Sequence, residues 1–176
     1  MRLKYFTGVG FAWGELLALT PADFNFETHT LRINKSYQRL HREDVITPPK
    51  TLKSNRTIKI PQFLCDEMQD YLKMLYEPKE DERIFTISKS YLHHEMNRGS
   101  KVSGVKRIRV HDLRHSHVSL LINMGFTVLA IADRMGHESI DITYRYAHLF
   151  PSEQTQMAEQ LDIERMEKLN GEKSGQ

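Results

Sequence analysis

The chain has 176 residues, of which 39% are hydrophobic and 27% are charged, and its net charge is +2. This length suits one domain with a single hydrophobic core, and the composition is that of a globular protein. No apolar run approaches the ~20 residues that span a bilayer and no signal-peptide pattern opens the chain, so a cytoplasmic location is expected. The single cysteine, Cys65, excludes an internal disulfide and a cysteine-based zinc site.

The charges are distributed unevenly along the chain. Residues 1–61 carry 10 Lys or Arg against 5 Asp or Glu, and residues 86–150 carry 9 against 5. Residues 151–176 carry 3 against 6. Two basic stretches on an otherwise acidic body suggest a surface that faces a polyanion, although an ordinary mixed surface explains the counts equally well.

Strands are predicted in the first third of the chain. After the motif GELLAL and a turn at Thr20-Pro21, alternating apolar and polar residues over 30–37 predict a half-buried strand. Further strands are expected around 44–47 and over 56–60, on either side of a basic turn region with a tight bend at Ser54-Asn55.

Helices are predicted over most of the remainder. Pro61 begins one that continues to about Tyr76, and its apolar face includes Phe63. A basic linker is expected over 98–109. The other predicted helices span 88–97, 111–124, 127–135, 139–148 and about 152–169.

His111 and Arg114 stand three residues apart at the start of a predicted helix and therefore share one face. Free N–H groups at a helix N-terminus favour a bound phosphate and disfavour a protonated imidazole. A neutral histidine can act as a base and an arginine can clamp two phosphate oxygens. A capping histidine beside a surface cation explains this pair alone at least as well. The opposite, buried side of the helix is predicted to hold Leu113, His117, Leu120, Leu121 and Met124.

Two further residues could carry chemistry. Gly136 ends a helix and would leave His137 at an exposed corner. Tyr146 follows nine residues later on the next predicted helix. Tyr144 is a rival hydroxyl, but residues two apart on a helix point ~200° apart, so only one can face the site.

The joint order of these motifs resembles the C-terminal signature of the tyrosine recombinases, the phage-integrase family. The match runs through HDLRHSH and MGHESIDITYRYAHL. The earlier segment PKTLKSNRTIKIP resembles the β-hairpin that carries the catalytic lysine of the family, and counting back from Pro61 selects Lys53 over Lys50 and Lys59. GELLAL resembles the segment that follows the first catalytic arginine of the family.

One position departs from the family pattern. The first arginine normally lies three residues before the glutamate matched by Glu15, in a phrase of the form TG-x-R-x-x-E. Counting back from Glu15 gives Ala12, whereas counting forward from Thr7 gives Gly10. Neither is an arginine. Because loss of one strong electrostatic contact to a transition state costs ~10²–10³ in rate, reduced activity is expected.

The resemblance implies a mainly α fold with a small antiparallel β-sheet, and site-specific DNA recombination through a 3′-phosphotyrosyl intermediate. Tyr146 would be the nucleophile, Arg114 and His137 would stabilise the transition state, His111 would be the base, and Lys53 would be the acid. Glu15 would support the site. No cofactor, metal or ATP is expected.

The resemblance also implies a domain organisation and partners. Residues 1–150 would form the catalytic domain, without the N-terminal DNA-binding domain of the family, and residues 151–176 a tail helix with a frayed end. Double-stranded DNA of a bacterial nucleoid would be the substrate. The tail would dock on a neighbouring copy in a tetramer, although folding back onto its own domain is nearly as well supported.

Three alternatives remain from the sequence. A DNA-binding module without activity would explain the absent arginine. A type IB topoisomerase shares the chemistry, although the hairpin and compact spacing favour a recombinase. A metallohydrolase is prompted by nine histidines, but none of them stands in an HExxH motif, which combines two ligands on one helix face with a glutamate base.

Overall fold

A computed structural model describes residues 10–149 and 157–165 of the chain. The fold is α+β, as predicted, with helices as the main regular structure and two small antiparallel sheets. The first helix, α1 (Trp13–Ala18), buries Gly14, Leu16, Leu17 and Ala18. This short helix therefore fixes the start of the described chain against the sheets.

The strands form two separate sheets. The first has the order β1 (Phe24–Asn25), β2 (Thr30–Ile33), β5 (Arg56–Lys59), and Leu31 pairs with Ile58 in it. The second is a hairpin of β3 (Ser36–Leu40) and β4 (Glu43–Thr47). The hairpin is inserted between the paired strands β2 and β5.

The prediction of one continuous strand over 30–37 is wrong, because the chain leaves one sheet and enters the other at Asn34-Lys35. The Lys35 ammonium lies 2.8 Å from the buried carboxylate of Asp23, and this ion pair fixes the change of direction. Leu31, Ile33 and Tyr37 are all buried, so the alternation continues across the break. Periodicity alone could not detect it.

The larger helices confirm the predicted positions with changed ends. The helix that was predicted over 88–97 spans Lys89–Ser103 (α3) and ends at Gly104, whose φ is +70°. The first part of the predicted basic linker is therefore helical. No helix in the described ranges is long and apolar enough to cross a membrane. The helices are α2 (Gln62–Met74), α3 (Lys89–Ser103), α4 (Asp112–Asn123), α5 (Val128–Met135), α6 (Ile140–Tyr144) and α7 (157–165).

In the described part of the chain, three single-turn 3₁₀ helices occur between these elements, at Pro21–Asp23, Leu52–Ser54 and Ala147–Leu149. The second replaces the tight bend predicted at Ser54-Asn55. The third follows α6, which ends at Tyr144 rather than near His148. The predicted helix over 139–148 is therefore wrong in its second half.

Among the residues that the structure describes, the core consists of two clusters. The larger joins α1, the sheets and α2, and the smaller joins α4 to α5 through Val118, Leu121, Ile122, Ile131 and Met135. Leu120 and Met124 are 52% and 61% exposed, against the prediction, because the buried stripe of α4 is rotated by about one residue. Phe63 on α2 is also mostly exposed rather than part of the apolar face.

Candidate active site

Arg114 lies in the first turn of α4 and is held by two backbone carbonyls. Its Nη1 donates to the Gly10 oxygen at 2.7 Å, and its Nη2 donates to the Met135 oxygen at 2.5 Å. The Glu15 carboxylate lies 3.9 Å from Nη1, and the Arg114 side chain is only 15% exposed. Burial lowers the pKa of Arg114 while Glu15 raises it, and the guanidinium stays charged. Arg114 thus connects three segments around one positive charge.

Arg56, on β5, makes a second and closer contact with Glu15. Its Nη1 and Nη2 donate to the two Glu15 oxygens at 2.9 Å and 3.2 Å. Its Nε donates to the Arg134 oxygen at 2.9 Å, and Nη1 also reaches the Ser54 oxygen at 3.1 Å. This bidentate pair is largely removed from solvent, with side chains 8% and 12% exposed. Arg56 therefore ties the turn before β5 to α1 and to the end of α5.

The two positions proposed for the absent arginine differ in the space they offer. Ala12 is the N-cap of α1 and its N–H donates to Glu15 Oε2 at 2.9 Å, so the two residues keep the three-residue spacing of the family phrase. Gly10 has φ +85°, and a Cβ there would lie 2.6 Å from His117 Cδ2 and 2.7 Å from Met135 Sδ. Only position 12 can carry a side chain without displacing its neighbours.

His137 is buried rather than at an exposed corner, which corrects the prediction for this side chain. Gly136 ends α5 in the left-handed conformation, with φ +67°, and turns His137 back toward the fully buried Thr143. His137 Nδ1 lies 2.7 Å from the Thr143 hydroxyl. Burial, followed by the charges of Arg114 and Arg56, lowers the pKa of His137 to about 4.

The ring of His137 is therefore neutral near pH 7. If the Thr143 hydroxyl donates to Nδ1, the ring proton is on Nε2, which can donate to a phosphate oxygen. Burial fixes this ring in place before a ligand arrives. A histidine of this kind serves as a hydrogen-bond donor rather than as a base.

Tyr146 lies in the turn after α6, not on a helix, which corrects the prediction. It is half-buried and packs against the cluster between α4 and α5, whereas Tyr144 is 52% exposed. Its hydroxyl is hydrogen-bonded to Nδ1 of His115. Burial raises the pKa of Tyr146, and Arg114 opposes that rise. Tyr146 is thus hydrogen-bonded to His115 and lies close enough to Arg114 for that charge to act on its hydroxyl.

His111 is the N-cap of α4 but makes no capping hydrogen bond, and its side chain is exposed. Its ring meets that of His115 edge to face, with ring centroids 4.8 Å apart. The residue predicted as the base therefore contacts the imidazole that is hydrogen-bonded to Tyr146.

Lys53 is exposed and lies in the 3₁₀ helix that precedes β5. Arg56 holds the carbonyl of the next residue, Ser54. On the other side, a Cβ at Gly136 would lie 2.9 Å from the Lys53 oxygen. The backbone of Lys53 is thus fixed beside the segment that carries His137. Lys59, which was considered as an alternative to Lys53, has its ammonium hydrogen-bonded to the Thr28 carbonyl at 2.6 Å.

Comparison with known proteins identifies the family. The phage integrase family matches residues 2–153. The chain belongs to this family.

The curated relatives of this integrase-family chain are longer than it is. It is 32% identical to the ICEBs1 integrase of Bacillus subtilis over 167 residues, which cover 87% of the chain and 45% of that protein. It is 28% identical to the putative prophage phiRv2 integrase of Mycobacterium tuberculosis over 144 residues, 77% of the chain and 38% of that protein. The chain thus spans less than half the length of these relatives.

Solved structures confirm the predicted fold. The Tn1549 transposon integrase in complex with a circular intermediate DNA superposes with a TM-score of 0.74 at 21% identity, covering 92% of the chain and 56% of that protein. The catalytic domain of bacteriophage HP1 integrase superposes with a TM-score of 0.58 at 22% identity, covering 89% and 78%. The fold is that of tyrosine-recombinase catalytic domains.

Sequence reasoning missed three neighbours of the site in this integrase domain. Arg56 appeared only as the start of a strand, Thr143 had no distinguishing motif, and His115 was considered only as a metal ligand. For His115, the available signal was its position one residue after Arg114 and one turn after His111. Within 10–149 and 157–165, no group of three or more His, Cys, Asp or Glu could hold a metal ion, so the metallohydrolase alternative gains no support there.

Proposed function

We propose that the chain is the catalytic part of a site-specific DNA recombinase of a phage or mobile element, which cuts and rejoins DNA through a 3′-phosphotyrosyl intermediate. The observation that carries this proposal is the convergence of Arg114, His137 and Tyr146 from three separate segments. The charge of Arg114 lowers the pKa of both His137 and Tyr146, as expected of close neighbours. A nucleophile beside two groups that bind a phosphate suits phosphoryl transfer.

The chemistry follows from the chain's own side chains. Tyr146 Oη attacks the DNA phosphorus, and the bond to the 5′-oxygen breaks. Arg114 and the neutral His137 ring stabilise the charge on the non-bridging oxygens. Lys53 is proposed as the acid that protonates the leaving 5′-oxygen. The 5′-hydroxyl of a second strand then reverses the step, and the energy of the broken bond is kept in the phosphotyrosine.

Residues 1–150 form the catalytic domain in this proposal, and the DNA is that of a bacterial nucleoid in the cytoplasm. The basic stretches 1–61 and 86–150 support contact with the phosphate backbone. Because residues 1–176 cover less than half of the relatives' length, binding by this chain alone is expected to be weak and sensitive to salt.

The tail, residues 151–176, is proposed to dock on a neighbouring copy in a tetramer on DNA. In its described part, α7 leaves Met157, Leu161 and Ile163 48%, 66% and 58% exposed. An apolar groove of about 510 Å³ between α3 and the segment 105–113 offers a matching surface. Its lining includes Lys106 and Arg107 as well as Arg98, which pairs with Glu95, whereas α7 carries acidic residues. Leu161→Asp is expected to abolish higher-order complexes on DNA in sedimentation and to leave cleavage of a single site intact.

The test of the catalytic proposal is a nicked duplex that traps the covalent intermediate. The chain is expected to form an adduct that Tyr146→Phe loses and that Tyr144→Phe, at the exposed rival hydroxyl, keeps. A parallel assay uses Ala12→Arg, which supplies the absent charge. Salt-sensitive DNA binding without an adduct from either chain would contradict the enzyme and favour the module without activity, which the alanine at position 12 supports.

A further inference from the structure

The hydroxyl of Tyr146 faces one imidazole, and it is not the one that the family pattern marks as the base. His115 Nδ1 is hydrogen-bonded to Tyr146 Oη, and the two ring centroids lie 5.7 Å apart. We propose that His115 accepts the proton of Tyr146 when the tyrosine attacks DNA. The inference rests on the proposed function, since it assigns a role within that reaction.

The position of His115 on α4 suits this role. It follows Arg114 directly, so the residue that contacts the nucleophile and the residue proposed to bind the phosphate share the first turns of one helix. Its side chain is half-buried, whereas His111 is exposed. His111 touches His115 edge to face and lies one turn earlier. The ring contact of His111 is thus with the proposed proton acceptor.

The charges around His115 keep its ring neutral. Burial lowers the pKa of His115, and His111, Arg109 and Arg114 lower it further, while only Asp112 raises it. On the side of α6 its neighbours are Tyr146, which is hydrogen-bonded to its ring, and His137, whose pKa is lowered in part by His115. A neutral imidazole whose Nδ1 accepts from a hydroxyl has its proton on Nε2 and can take a second one.

The proposed step balances in protons and charge. As the Oη–P bond forms and the P–O5′ bond breaks, the Tyr146 proton moves to His115 Nδ1 and a Lys53 proton moves to the leaving oxygen. The imidazole becomes imidazolium and the ammonium becomes an amine. In the rejoining step, the attacking 5′-hydroxyl gives its proton to the Lys53 amine, and the departing Tyr146 oxygen recovers its proton from His115.

Single-turnover cleavage of the nicked duplex distinguishes His115 from His111. Asparagine can hydrogen-bond near the Nδ1 position but cannot take a proton, so His115→Asn is expected to lower the cleavage rate by ~10²-fold or more. It should also remove the increase of the cleavage rate with pH that the deprotonation of an imidazole base produces. His111→Asn, the matched control, is expected to have a smaller effect and to keep that rise. Near-normal cleavage by His115→Asn would overturn the inference.

A second measurement needs no cleavage. Nitrogen-15 NMR of the full chain without DNA follows each imidazole through a pH titration. In Tyr146→Phe, His115 loses a donor to its neutral form, so its pKa should rise and its Nδ1 signal should shift, whereas Tyr144→Phe should change neither. A His115 signal that is unchanged in Tyr146→Phe would overturn the inference. Absence of every covalent adduct would instead count against the proposed function.

Discussion

The two sides of the candidate site differ in how completely they are assembled. On the side built by α4, α5 and the turn after α6, Arg114, His137 and Tyr146 meet around one charge. On the other side, the turn that leads into α1 has Ala12 where the family pattern has an arginine, and Glu15 is bound by Arg56 from β5. The first side holds the residues proposed for the chemistry, whereas the second holds Glu15, the residue proposed to support an arginine.

The comparison distinguishes two roles that an arginine beside Glu15 can have: it can neutralise this carboxylate, or it can be directed at a ligand. A partly buried carboxylate needs a cation, and Arg56 meets that need for Glu15 with two hydrogen bonds. Its remaining contacts go to the backbone of Ser54 and Arg134, so Arg56 is held by the fold and not directed at a ligand. The scaffold on the α1 side can therefore form without an arginine at position 12.

The largest expected effect is on the complete side. Arg114→Ala should lower single-turnover cleavage by ~10³-fold, because it removes the main charge proposed to face the phosphate and leaves the carbonyls of Gly10 and Met135 without their donor. Arg114→Lys keeps the charge but not both hydrogen bonds and should recover part of the rate. A cleavage rate for Arg114→Ala within tenfold of that of the unmodified chain would contradict the proposed difference between the two sides of the site.

On the incomplete side, Ala12→Arg should raise cleavage by ~10²–10³-fold, because a second guanidinium would share the transition-state charge. Gly10→Arg is the matched control for the other register. It should give no increase and should lower the melting temperature, since its Cβ would collide with His117 and Met135. A gain from position 10 instead of position 12 would reverse the assignment of the two positions.

The support beneath the incomplete side can be tested through stability. Arg56→Gln leaves the Glu15 carboxylate without its bidentate partner and should lower the free energy of unfolding by about 3 kcal/mol in urea denaturation. Asp70→Asn, which breaks the exposed pair with Lys73, is the control and should have no measurable effect. Similar stabilities for the two variants would mean that Arg56 is not needed to hold this side together.

A smaller effect concerns acid stability. Burial lowers the pKa of His117, as of His137, to about 4, below the ~6.5 of an unfolded histidine. Between these values the unfolded chain binds more protons, so stability is complete above pH ~6.5 and falls as the pH drops toward 4. At pH 5, His117 should account for about 2 kcal/mol of this loss.

His117→Gln should therefore make the unfolding free energy less dependent on pH between 6.5 and 4. His94→Gln, at an exposed position on α3, serves as the control and should keep the slope of the parent chain. An unchanged slope in His117→Gln would show that this buried ring is not what makes the fold sensitive to acid.

The fold class and most helix positions could be predicted from the sequence, because their signals are local. Gly136 closes α5 as expected, and α4 begins beside His111. The strand break at Asn34-Lys35 could not be predicted, since it depends on an ion pair with Asp23 and leaves the alternation intact. The end of α6 at Tyr144 could not be predicted either, because the 3₁₀ helix Ala147–Leu149 follows it closely.

The candidate site shows the same limit. The order of motifs singled out Arg114, His137 and Tyr146, and the fold brings them together. The burial of His137 depends on Thr143, and the partner of Glu15 comes from 41 residues away on another strand. Spacing along a helix could show that His111 and Arg114 share a face, but it could not show that His115 contacts both His111 and Tyr146.

Gly136 carries a consequence for how this domain can vary. Its φ is positive, and an added Cβ would lie 2.9 Å from the Lys53 oxygen and from the Arg56 side chain. Any larger residue would therefore disturb the Lys53 turn, the Glu15 partner and His137 at once. In a library with every amino acid at each position, we expect position 136 to accept glycine alone, while neighbouring Glu138, which is exposed, accepts many. The absence of a Cβ at position 136 is thus required for three parts of the proposed site at the same time.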